Sequence, residues 1–122
     1  MSLSEDTLKK ILNQIQTQAV TSQRSLQVVR AQIASKEKER KILQLTMREL
    51  STVPQDGRMY RGVGKMFVQQ PREEIDSTHA TQEKALEEEI TSLGKKAKYL
   101  EKQFEEANSQ LKDIFHSQRR EQ

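Results

Sequence analysis

Catalysis needs groups that move protons, attack carbonyls or hold metals, gathered at one point. This 122-residue sequence offers few of them. Its two histidines, His79 and His116, are 37 positions apart, on what reads as opposite ends of one helical arm. They share no site, and each reads as a solvated histidine or as part of a helix seam. Glu87, Glu88 and Glu89 are consecutive, which spreads them around a helix as a solvated face rather than pairing them as acid and base. The triplet Gly62-Val63-Gly64 lacks the GxxxxGK[ST] spacing of a phosphate loop and does not lead straight into a helix. Cysteine is absent, so disulfides and thiolate metal sites are excluded. These residues give no catalytic, cofactor or metal site, and the chain reads as something other than an enzyme.

The elements that carry these side chains are mostly helical. Hydrophobic residues make up 33% of the chain and charged residues 32%, with two prolines and no tryptophan. So polar a chain buries little core by itself, but its wealth of Glu, Lys, Gln, Leu and Arg is that of long helices or coiled coil. Residues 1–50 carry nine basic and five acidic side chains, residues 75–122 eight and ten. That weak complementarity suits two halves that pack together. Positive charges are mostly interleaved with negative ones rather than gathered in a stripe, which argues against a nucleic-acid partner despite a pI near 9.2. No segment reaches the roughly 20 apolar residues of a membrane span, and the N-terminus has no signal-like apolar run. Cytoplasm is the expected compartment.

Spacing alternately four and three from Leu8 gives Leu8, Leu12, Ile15, Ala19, Ser22, Leu26, Val29, Ile33, Lys36, Arg40, Leu43, Met47 and Leu50, ten of thirteen apolar. Six heptads make a coiled-coil seam. Ser22, Lys36 and Arg40 should loosen it or pair across it. The same spacing from His79 gives Glu83, Leu86, Ile90, Leu93, Ala97, Leu100, Phe104, Ala107, Leu111, Ile114 and Gln118, nine of twelve apolar counting His79. Each arm is roughly 60 Å long at about 1.5 Å per residue. Arms of matching length joined by a short segment predict an antiparallel pair. Ser4, or Ser2 with Glu5, caps the first helix. Pro54 ends it, and Pro71 opens the second.

The segment between the arms is about twenty residues, where a plain helical hairpin needs about 2–8. Met59, Tyr60, Val63, Met66, Phe67 and Val68 crowd around Gly62 and Gly64. This predicts two short strands about a turn near Val63-Gly64-Lys65, with both glycines serving the turn. By numerical parity Tyr60, Met66 and Val68 share one face and Met59, Val63 and Phe67 the other, so both faces are apolar. An isolated hairpin of that kind is marginal in water. Its open edges make it a docking element or an aggregation site.

A long helix, the stretch MYRGVGKMFVQQPREEI and a second long helix together resemble the prefoldin family, and its β-type subunits in particular. The likeness covers nearly the whole chain. It implies a single prefoldin-like domain over 1–122, with a helix over about 4–52, a hairpin over about 57–70 and a helix over about 71–119. It further implies that the hairpin joins an intersubunit β-barrel in a hexamer of two α-type and four β-type subunits. The implied partners are those subunits, unfolded clients of the actin and tubulin type held at the coiled-coil tips, and the cytosolic chaperonin that receives them. No nucleotide or other cofactor is implied.

On that reading Met59, Tyr60, Gly62, Val63, Gly64, Met66, Phe67 and Val68 form the assembly hairpin. Clients meet Leu3, Leu8, Ile11, Leu12, Ile15, Leu111, Ile114 and Phe115 near the termini. Leu8, Leu12, Ile15, Leu111 and Ile114 are seam residues first. Ile11 and Phe115 lie one position off the seam and widen its apolar strip. The alternative is a structural coiled-coil adaptor without client binding.

Overall fold

The computed structural model describes residues 4–121. The order is α1 (Glu5–Ser51), β1 (Met59–Val63), β2 (Met66–Gln70) and α2 (Arg72–Glu121). Ser4 starts α1 as its N-cap: its Oγ accepts the Thr7 amide at 3.2 Å and its carbonyl the Leu8 amide at 3.0 Å. Glu5 and Asp6 follow in the first turn, where the helix dipole favours negative charge. At the other end Pro54 cannot continue the helix, and the chain turns through Pro54–Gly57, closed by the Gly57 amide on the Pro54 carbonyl at 2.9 Å. A Cβ at Gly57 would meet Val53 Cγ1 at 2.8 Å, so glycine is the residue that fits. The Pro71 carbonyl accepts the amides of Glu74 and Ile75 and begins α2. No helix among the described residues is long and apolar enough to cross a membrane.

The chain forms two compact units, residues 1–32 with 93–122 and residues 33–92. Within the first, α1 and α2 run antiparallel and bury Ala19, Ser22, Leu26, Val29 and Ala107. Small side chains here let the helices approach. The 4–3 rows are legible in the burial pattern: Leu8, Leu12 and Ile15 of α1, and Ala97, Leu100, Phe104, Leu111 and Ile114 of α2, are all half-buried. Arg30 Nη2 donates to Glu101 Oε1 at 2.6 Å, and Gln18 Nε2 to Gln103 Oε1 at 3.4 Å.

The second unit holds the hairpin and the helix segments leading to it. Here the seam contains the two cations that the spacing placed in it, and both pair across. Lys36 Nζ lies 2.9 Å from Glu89 Oε2, and Arg40 Nη2 lies 3.8 Å from Glu83 Oε1. Gln44 Nε2 donates to the same Glu83 oxygen at 2.8 Å. The hydrogen bond from Lys36 to Glu89, then the charges of Glu89 and Glu39, raise the lysine above its usual pKa of 10.5.

β1 and β2 pair antiparallel as a two-stranded sheet. The sheet is open and does not close into a barrel, which corrects the expectation of barrel geometry at the bend. Two five-residue strands leave two outer edges, and closure needs several more strands in staggered register. A second correction concerns the faces. Gly64 and Lys65 form a two-residue turn, so Met59 pairs with Gln70, Tyr60 with Gln69, Arg61 with Val68, Gly62 with Phe67, and Val63 with Met66. Each pair joins residues of opposite parity, and paired residues share a face. Met59, Val63, Met66 and Val68 therefore lie on one face with Arg61, while Tyr60 and Phe67 lie on the other. Gly64 has φ 61°, the left-handed value that a type II′ turn needs at its first central residue. Gly62 is in β1 rather than in the turn, and a Cβ there would make ordinary contact with Phe67 at 3.9 Å.

Candidate functional site

The hairpin is anchored at its base by one side chain. α1 ends with carbonyls that have no partner inside the helix. Arg72, the residue after Pro71 and the first of α2, turns its guanidinium onto the last turn of α1 and the chain just beyond it. Nη2 donates to the Leu50 carbonyl at 2.9 Å, and Nη1 to the Val53 and Pro54 carbonyls at 2.8 and 3.0 Å. Asp76, one turn on, lies 3.8 Å from Arg72 Nε. A cation at a helix C-terminus also suits the dipole. The exit of α1 and the entry of α2 are thus clasped together, and the two strands leave from a fixed base. Sequence reading missed Arg72, because donor and acceptors are about twenty positions apart and only the bend unites them.

Beyond this clasp the hairpin is largely uncovered. Met59 is buried at 7% exposure, and with Leu50, Val53, Tyr60, Ile75 and His79 it lines an open cleft of about 530 Å³. The rest of the assembly residues face outward. Phe67 is 77% exposed and Met66 68%, and Tyr60, Val63 and Val68 are also exposed. Large apolar side chains thus lie uncovered on both faces of a two-stranded sheet.

Among the residues expected to meet clients, Leu8, Ile11, Leu12, Ile15, Leu111 and Ile114 are half-buried in the first unit. Phe115, just off the row, is 49% exposed. Leu3 lies outside the described residues. His79 falls in the second unit and His116 in the first. Among the described residues no group of three or more His, Cys, Asp or Glu is placed to hold a metal ion.

A two-helix coil interrupted midway by one open hairpin is a specific combination. Residues 13–118 match the family described as prefoldin subunit. The chain belongs to the prefoldin family. Among curated prefoldin relatives, the probable prefoldin subunit 1 of Schizosaccharomyces pombe is 37% identical over 111 residues, 90% of this chain and 98% of that one. Prefoldin subunit 1 of Homo sapiens is 31% identical over 112 residues, 92% of each chain. Of solved prefoldin structures, the β subunit from Thermococcus strain KS-1 superposes with a TM-score of 0.78 at 20% identity, covering 84% of this chain and 90% of that one. The fold is thus that of a β-type prefoldin chain. Prefoldins are co-chaperones with a general role in protein folding.

Proposed function

We propose that this chain is a β-type subunit of a hetero-hexameric, nucleotide-independent co-chaperone. It associates with other prefoldin subunits, of α and β type, through its hairpin. With them it holds unfolded proteins of the actin and tubulin kind at the coiled-coil ends and delivers them to the cytosolic chaperonin. Cytoplasm is the compartment this requires.

Family membership across residues 13–118 is the observation that carries this reading. The side chains supply a physical means. Tyr60, Val63, Met66, Phe67 and Val68 are apolar and exposed on a sheet with two open edges, so a neighbouring chain that covers them removes apolar surface from water and satisfies edge amides. Near the helix ends Ile11 and Phe115 extend an apolar strip beyond the seam. Contacts of that kind are weak and indifferent to sequence. Several subunits acting on one client raise the effective concentration and turn weak contacts into useful avidity.

The test replaces Ile11 and Phe115 with serine in the assembled complex and follows aggregation of a diluted, denatured client. The expected result is an intact complex that suppresses aggregation less well than the unsubstituted one. Equal suppression by the two complexes would overturn the assignment of these ends as the holding surface.

A further inference from the structure

We propose that Lys95, Lys96, Lys98 and Lys102, grouped around Tyr99 on α2, form a docking surface for a short acidic stretch of an unfolded polypeptide. The inference rests on the client-holding reading above and adds to it a second, electrostatic contact with a defined chemistry.

Four of the eight residues from 95 to 102 are lysine. With about 3.6 residues per helical turn, Lys95, Lys98, Tyr99 and Lys102 fall within an arc of about 100°, and Lys96 flanks it. All four lysines are exposed, and Tyr99 is 61% exposed. Lys95 and Lys98, like Lys98 and Lys102, stand at spacings where like charges on a helix repel. None of the four ion-pairs with a described carboxylate. Glu101 is the nearest carboxylate in sequence, and Arg30 of α1 holds it at 2.6 Å. The Tyr99 hydroxyl accepts a hydrogen bond from Gln103 Nε2 at 3.0 Å, which leaves the face of an exposed ring beside the ammonium groups.

Beyond Glu5 and Asp6 in its first turn, the other helix of this unit supplies no opposing charge. From Thr7 to Lys36, α1 contains no acidic residue, and its bases include Arg24 and Arg30. The unit as a whole carries eleven basic and seven acidic side chains, whereas the second unit carries ten and eleven. The net positive charge of the chain lies in this unit, and no described carboxylate ion-pairs with the four lysines of this helix face.

The size of the run selects the partner. From Lys95 to Lys102 the helix rises about 10 Å, the length of three or four residues of extended chain at about 3.3 Å each. In sequence the run is bracketed by Glu87–Glu89 before and Glu105–Glu106 after. A long polyanion such as a single-stranded nucleic acid follows an extended basic groove and would meet those carboxylates. A few aspartates or glutamates beside an aromatic or apolar residue fit between them. Such a contact speeds capture and is screened by salt.

The experiment uses the assembled complex and three fluorescein-labelled probes: a hexaglutamate peptide carrying one tyrosine, the same peptide with glutamine for glutamate, and a single-stranded oligonucleotide of matched charge. Binding is read by anisotropy at low and moderate salt. The glutamate peptide is expected to bind, to weaken with salt, and to lose about tenfold or more in affinity in the variant K95Q/K96Q/K98Q/K102Q. Circular dichroism checks that this variant keeps its helices. Equal binding of the glutamine peptide, an unchanged affinity in the variant, or tighter binding of the oligonucleotide would each overturn the proposal. Aggregation suppression with an uncharged client, measured on the same complexes, separates the two readings. Loss of suppression by the Ile11 and Phe115 substitutions tests the holding ends, and only loss of acidic-peptide binding by the lysine substitutions tests this surface.

Discussion

At the residue scale, the seam tolerates two cations because each has a carboxylate facing it. Lys36 is the clearer case: Glu89 lies 2.9 Å from its ammonium and Glu39 3.9 Å, and they hold its pKa above the ordinary value. A lysine whose folded pKa exceeds its unfolded one contributes stability that is fully present below the unfolded value, near 10.5. That contribution is lost as pH rises through the folded value. The difference in urea midpoint between the wild-type protein and Lys36→Met is therefore expected to be constant through neutral pH and to change in the alkaline range above about 10.5. A difference that already varied between pH 6 and 9 would contradict this account of the pair. The pairing itself was legible only as an alternative. The 4–3 spacing put Lys36 and Arg40 in the seam but could not say which acids of α2 would stand opposite, since that depends on how far the second helix is shifted along the first.

At the element scale, the helices and the hairpin could be read from the sequence because each announces itself locally: a 4–3 apolar row for the helices, and β-favouring residues around glycine for the strands. What could not be read depends on register or on contacts between distant residues. Numerical parity assigned Phe67 and Val63 to one face. A two-residue turn pairs residues of opposite parity, so Phe67 lies with Tyr60 instead. Barrel geometry was out of reach for a similar reason, because closure is a property of several strands and this chain supplies two. Arg72 belongs to this scale as well. It gives three charge-assisted hydrogen bonds, one to the end of α1 and two to the residues just beyond it, while its side chain is only 14% exposed. Arg72→Ala is expected to cost about 2–4 kcal/mol, since charged hydrogen bonds are worth about 1.5–3 kcal/mol and the abandoned carbonyls partly regain water. Arg72→Lys should recover only part of this loss, lacking the planar fork that reaches several carbonyls at once. Hydrogen exchange is the fitting readout: hairpin amides should exchange faster in Arg72→Ala, while the Leu26 and Val29 amides should be little affected.

At the scale of the whole molecule, this prefoldin chain exposes apolar groups that it does not itself cover. Its buried apolar set is small: Ala19, Leu26, Val29, Met59, Leu86 and Ala107. The most exposed large apolar residue among those described is Phe67, on a two-stranded sheet. An open hairpin with both faces apolar is a hazard for an isolated chain and an asset for one that docks. The tip and lysine surfaces belong to a different unit from the hairpin, so the substitutions expected to abolish assembly and those expected to weaken client holding fall on separate residues. That separation gives the central claim its sharpest test.

The measurement is the native mass of the complex formed when this chain is co-expressed with α-type and β-type prefoldin partners, with and without Tyr60, Val63 and Phe67 changed to serine. A hexamer that contains this chain, and that is lost when the three substitutions are made, is the predicted result. A chain that joins no partner, or a hexamer indifferent to the loss of all three apolar side chains, would contradict the role assigned to the hairpin.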